Sequence, residues 1–155
     1  MKEKILIAED SLCISATIDT NGCIPQGGVY FAVLTKETSL KYLLSLLNSR
    51  LLSVIYKILY GGMHMGGGYL RYRSEFLNYL PIKLALESQQ QQLIKLTDKM
   101  LSLNKSLSEI GDKKTDERAR IEEEIKKIDV EIDELVYKLY GITEEEKKII
   151  EESLQ

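Results

Sequence analysis

Apolar positions follow three different rhythms along this chain, and each rhythm predicts a different kind of element. Near the start, "KILIA" (residues 4–8) and "CISATI" (residues 13–18) are short and rich in β-branched residues, which predicts strands. Residues 19–28, "DTNGCIPQGG", form a turn-rich loop: Asn21-Gly22 is a tight-turn pair, and Pro25 with Gly27-Gly28 extends the break. "VYFAVL" (residues 29–34) is an unbroken apolar run between turns, which predicts a buried strand.

The second rhythm is helical. In residues 38–60, Leu40, Leu43, Leu44, Leu47, Leu51, Val54, Ile55 and Ile58 recur at helix spacing, predicting one helix laid against the sheet. Thr38 or Ser39 can cap its start, and Gly61 and Gly62 end it. "GGMHMGGGYLRYR" (residues 61–73) follows, then "SEFLNYLPI" (residues 74–82), read as a short helical turn and a strand entry at Pro81.

The third rhythm is a heptad. Leu93, Leu96, Met100, Leu103, Leu107 and Ile110 alternate steps of three and four, as do Ile121, Ile125, Ile128, Ile132, Leu135 and Leu139. The polar turn between them, opening at Gly111, predicts two helices folded back antiparallel. Gly141 breaks the second, and Thr143 with Glu146 makes a capping box for a short closing helix. The expected class is α+β. A small mixed head spans residues 1–86, an antiparallel two-helix, coiled-coil-like spacer spans 87–140, and a C-terminal helix spans 141–155.

Charge sharpens this division. Residues 1–82 hold eight Lys and Arg against six Asp and Glu, whereas residues 83–155 hold 13 against 18. Seven of the nine tyrosines lie in the first part. A polyanion would therefore meet the head, with the hairpin as scaffold. Cys13 and Cys23, with a single histidine in the chain, do not supply a zinc site and read as free thiols in a reducing cytoplasm. No secretory signal or run of about 20 apolar residues is visible, so no membrane partner is expected. The entry into a strand within a few residues of Met1 suggests a piece of a longer protein.

Few residues suggest catalysis. The glycines of 61–68 follow a helix and precede an expected strand, the reverse of a dinucleotide-binding turn, and no P-loop Lys-Ser or Lys-Thr is present. His64 has no evident nucleophile or acidic partner. Glu124-Ile125-Lys126, superficially like the end of a nuclease metal site, lies on a heptad helix where such charges are ordinary surface. Tyr69, Arg71 and Arg73 share one face of an extended segment, with Leu70 and Tyr72 on the other. Arginine can hold phosphate or guanine, and tyrosine can stack or donate, so the strip suits contact with a nucleic acid. Alternatively, the arginines only solubilise a sheet edge.

Taken in order, "KILIAED", "VYFAVL", "LLNSR" (residues 46–50), the glycine loop, "EFLNYLPI" (residues 75–82), "QQQQLIKLTDKML" and "VYKLYGITEEEKKIIE" resemble the TaqI-like C-terminal specificity domain of fused restriction–modification enzymes. More distantly, they resemble half of a type I restriction specificity subunit. Lys83 stands where that family often has a second proline. The resemblance implies a target recognition domain for duplex DNA, non-catalytic by itself. Its parent would be an adenine methyltransferase, with or without endonuclease activity, and an upstream domain would bind S-adenosylmethionine. The expected DNA contacts are Arg71, Arg73, Tyr69, His64, Asn21 and Gln26, although turn geometry explains Asn21 better. Lys36, Lys41, Arg50 and Lys57 either reach phosphate or form a solvated face. Asn48 and Ser49 are expected to hydrogen-bond backbone. A competing reading is a protein-interaction or homodimerisation module acting through the hairpin seams.

Overall fold

The computed structural model describes residues 3–33, 38–61 and 66–154. Its architecture is α+β, with two small antiparallel sheets and a predominantly helical body. Strand β1 (Lys4–Ala8) is central, flanked by β3 (Ala16–Asp19) and β4 (Val29–Ala32). Alternation along β1 buries Ile5 and Ile7 in the core. On the opposite face Leu6 registers with Thr17 and Phe31, and Lys4 with Asp19. Lys4 and Asp19 form a buried ion pair there. A second, two-stranded sheet joins β2 (Asp10–Ser11) to β5 (Leu70–Arg71).

The expected strand at residues 13–18 is shifted: Ile14 is buried ahead of the strand and donates its N–H to Ser53 Oγ at 3.0 Å. The described part of the apolar run, residues 29–33, is not a buried strand, and residue 34 lies outside the described residues. β4 is an edge strand, with Val29, Phe31 and Val33 exposed and Tyr30 and Ala32 turned toward the core. An apolar run alone does not distinguish a central strand from an edge strand.

The single helix expected at 38–60 is two helices, α1 (Leu40–Leu47) and α2 (Arg50–Tyr60), bent by 61°. The sequence "LNSR" makes the bend. Asn48 leaves the helix and pairs its amide with the edge of β3, accepting from Ala16 N–H at 2.8 Å and donating to Ala16 O at 3.0 Å. Ser49 caps α2 by accepting from Leu52 N–H at 3.3 Å, and donates to Leu46 O at 2.6 Å. Ser39 caps α1. Gly61 ends α2 in a right-handed conformation; a Cβ there would collide with the Lys57 carbonyl, so close approach requires the glycine.

After α3 (Ser74–Leu77), residues 81–86 form no strand, contrary to expectation. Backbone groups of Pro81 and Lys83 bond tyrosines instead. Tyr140 OH donates to Pro81 O (2.6 Å) and accepts from Lys83 N–H (3.0 Å), while Tyr42 OH donates to Lys83 O (2.7 Å).

Helices α4 (Glu87–Ile110) and α5 (Asp116–Tyr140) pack antiparallel as the heptads predict. Gly141, at φ 73°, ends α5, and the Thr143–Glu146 capping box starts α6 (Glu144–Ser153). The core is continuous from β1 to α6: Ile5, Tyr42, Leu52, Leu93, Val136 and Ile150 belong to one buried cluster. Asp133 of α5 reaches the start of α2, accepting from Arg50 N–H at 2.9 Å and pairing with the Arg50 guanidinium at 3.3 Å. No single described helix is long and apolar enough to cross a membrane.

Candidate functional site

The segment running from Tyr69 to Arg73 keeps the alternation expected of it. Leu70 and Tyr72 are buried, whereas Tyr69 is 46% exposed and the side chains of Arg71 and Arg73 are 37% and 45% exposed. Inward-facing Tyr72 lies 4.7 Å from the Tyr56 ring, which is 5.1 Å from Tyr60, and Tyr60 stacks on Phe76 at 4.5 Å. This aromatic layer supports the strip from below. Before it, Gly66–Gly68 form a short 3-10 turn in which Gly67 and Gly68 take φ of 79° and 82°, a region closed to most side chains.

The strip's arginines are paired within the protein. Arg71 Nε lies 3.1 Å from Asp10 Oδ1 and 3.8 Å from Glu9 Oε1, and its Nη2 donates to Asp10 Oδ2 at 3.5 Å. The bond to Asp10 holds the Arg71 guanidinium more firmly protonated than usual. Arg73 pairs with Glu75 at 3.7 Å. These contacts lie at the surface, where solvent screens an ion pair, so a polyanion could exchange with the carboxylates at small cost. The exposed strip offers guanidinium and phenol donors suited to phosphate oxygens or base edges.

Other expected site residues are placed differently. The backbone of Glu9 bridges two segments: its N–H donates to Gly28 O at 2.9 Å, and its carbonyl accepts from Tyr72 N–H at 2.7 Å. The Gln26 end of the 20–28 loop is thereby tied to the strip, and Gln26 is exposed. Asn21 is tied to the opposite end of the sheet. Its N–H donates to Asp19 Oδ1 at 2.9 Å, and Asp19 registers with Lys4, roughly 13 Å of strand from Ala8. That bond is the turn geometry the sequence allowed for Asn21. His64 and Lys36 lie outside the described residues. Lys41 pairs with Asp98, Arg50 with Asp133, and Lys57 donates to Ser153 O. Glu124 pairs with Lys99 across the hairpin, as an ordinary surface charge does.

Sequence reading missed three participants. Glu9 and Asp10 lie at and beside a strand of two residues, too short to leave a periodic signal. Tyr56 sits in an apolar helical stripe, where its hydroxyl needs a partner; that need was the available signal. Among the described residues, no group of three or more His, Cys, Asp or Glu could hold a metal.

A family model described as the TaqI-like C-terminal specificity domain matches residues 1–82, which contain both sheets, α1, α2, α3 and the strip. No curated protein shows significant similarity to the chain.

Proposed function

Because the chain belongs to the TaqI-like C-terminal specificity domain family, whose members are specificity modules of restriction–modification enzymes, we propose that it is the duplex-DNA target recognition module of an adenine-specific DNA methyltransferase. In this reading the catalytic domains lie outside the chain. An upstream domain binds S-adenosylmethionine and modifies the adenine, with or without an associated endonuclease activity.

The family match over the head is the observation that carries the reading. The exposed face formed by Tyr69, Arg71 and Arg73 supports it, because those groups stand together over a rigid aromatic layer. Rigid support keeps donors in register with base edges, whereas flexible cations deliver only general attraction to phosphate. The hairpin would then hold the head at a fixed attitude to the parent's catalytic part. Its buried seam positions Leu93, Ile128, Ile132 and Leu139 belong to the shared core. A homodimer formed through them would have to displace that packing.

The test is selection of target duplexes from a random pool with the 155-residue chain, followed by titration of the Arg71→Ala/Arg73→Ala variant. Affinity for the selected duplex is expected to fall at least tenfold. If the arginines touch phosphates, the salt slope also falls by roughly 0.9 for each phosphate no longer engaged. An unchanged affinity and slope would overturn the assignment of this face.

A further inference from the structure

We infer that Tyr56 is a positioning residue for the recognition strip, its single hydroxyl fixing the backbone from which Arg71 and Arg73 project. This rests on the reading that the strip faces DNA.

The ladder holding the strip is short: β5 pairs with β2 through Leu70 and Arg71, Tyr72 N–H adds one bond to Glu9 O at 2.7 Å, and by Ser74 the chain has entered α3. Tyr56 acts between these points. Its hydroxyl donates to Arg71 O at 2.9 Å and accepts from Arg73 N–H at 3.1 Å. One phenol thus ties together the residues on either side of Tyr72, and those are the two arginines.

The phenol is itself well anchored. Its residue is fully buried, its ring lies between Tyr60 and Tyr72, and it belongs to α2, whose first turn is fixed by Ser49 and Asp133. Burial raises the hydroxyl's pKa, so it remains protonated and able to donate. The strip is therefore referenced to the helical body as well as to its short ladder with Glu9–Ser11. Removing the hydroxyl leaves Arg71 O and Arg73 N–H without this partner while keeping the aromatic packing. The arginines would then sample more positions over the base edges, a loss that falls on discrimination rather than on general attraction to DNA.

The experiment compares the wild-type chain with Y56F, Y72F and the double arginine variant on a selected duplex and a scrambled one. Tyr72 is the control: it belongs to the same aromatic layer, and its hydroxyl lies 3.5 Å from Leu12 O, away from the arginine peptides. Y56F is expected to lower the selected-to-scrambled affinity ratio about tenfold, within the range of one good bidentate base contact, with scrambled binding and its salt slope unchanged. Y72F should keep the ratio.

If the double arginine variant loses the ratio and Y56F retains it, the positioning role is wrong and the DNA reading stands. If the double arginine variant retains the ratio, the strip assignment itself fails and takes this inference with it. Amide exchange in the wild-type chain gives a reading independent of how Y56F folds. A protected Arg73 N–H supports the clamp, and one exchanging at the unprotected rate overturns it.

Discussion

Asp133 sits under two opposed influences. Burial raises its carboxyl to about 6, outweighing the bond from Arg50 N–H and the Arg50 charge, which favour ionisation. Between the ordinary 3.8 and about 6 the folded chain holds this proton more often than the unfolded chain does, so stability falls as pH rises through that window. Asp19 has the opposite sign. The Lys4 hydrogen bond holds it down at about 2, so its contribution is present above the ordinary 3.8 and is lost as pH falls toward 2. Urea midpoints should therefore peak near pH 4, with roughly 2–3 kcal/mol lost from that peak toward neutrality through Asp133. Asp133→Asn keeps an acceptor for Arg50 N–H and should flatten the limb between pH 4 and 6. A wild-type midpoint that climbs from pH 4 to 7, or an Asp133→Asn curve parallel to wild type, would refute this. At this scale the sequence was informative about which way side chains point and uninformative about what they meet. The alternation from Tyr69 to Arg73 was legible because period two is a local property. The pairing of Arg71 with Asp10 was not, because it joins residues 61 positions apart.

The helices illustrate where periodicity succeeds and where it misleads. The heptads located α4 and α5 because seam positions repeat only if the helix continues, and the glycine and capping-box signals placed the junction before α6. The same logic failed at residues 38–60, where leucines keep helical spacing across a 61° bend. The break was written in the polar pair Asn48-Ser49, not in the apolar pattern, since both residues form side-chain bonds that compete with helix continuation. Ser49→Ala removes the cap on Leu52 N–H and the donor to Leu46 O, and should lower stability by about 1–2 kcal/mol, read as a reduced urea midpoint. An unchanged midpoint would mean that Asp133 alone secures the start of α2. The edge position of β4 was also hidden, because strand order is set by partners outside the strand.

Across the whole molecule, head and hairpin share their apolar interior. Leu93, Ile128, Val136 and Tyr137 are buried in the same cluster as Leu44 and Leu52, and Lys83 Nζ donates to Leu139 O at 2.6 Å. A fragment of residues 1–86 should therefore show no cooperative thermal transition by circular dichroism, because removing α4, α5 and α6 uncovers α1 and α2. A sharp transition in that fragment would show that the head supports itself. The sequence drew a compositional boundary near residue 86, but composition reports what faces water along each segment and not which apolar faces meet. The pairing of Asn48 with Ala16 has a consequence for assembly. It occupies the outer side of β3 at Ala16 as a neighbouring peptide would, so a strand adding along that side must first displace the amide. Fibre growth by edge-to-edge strand addition needs two open sides on every subunit. While that amide stays paired, a second copy can join only once, and propagation then stops.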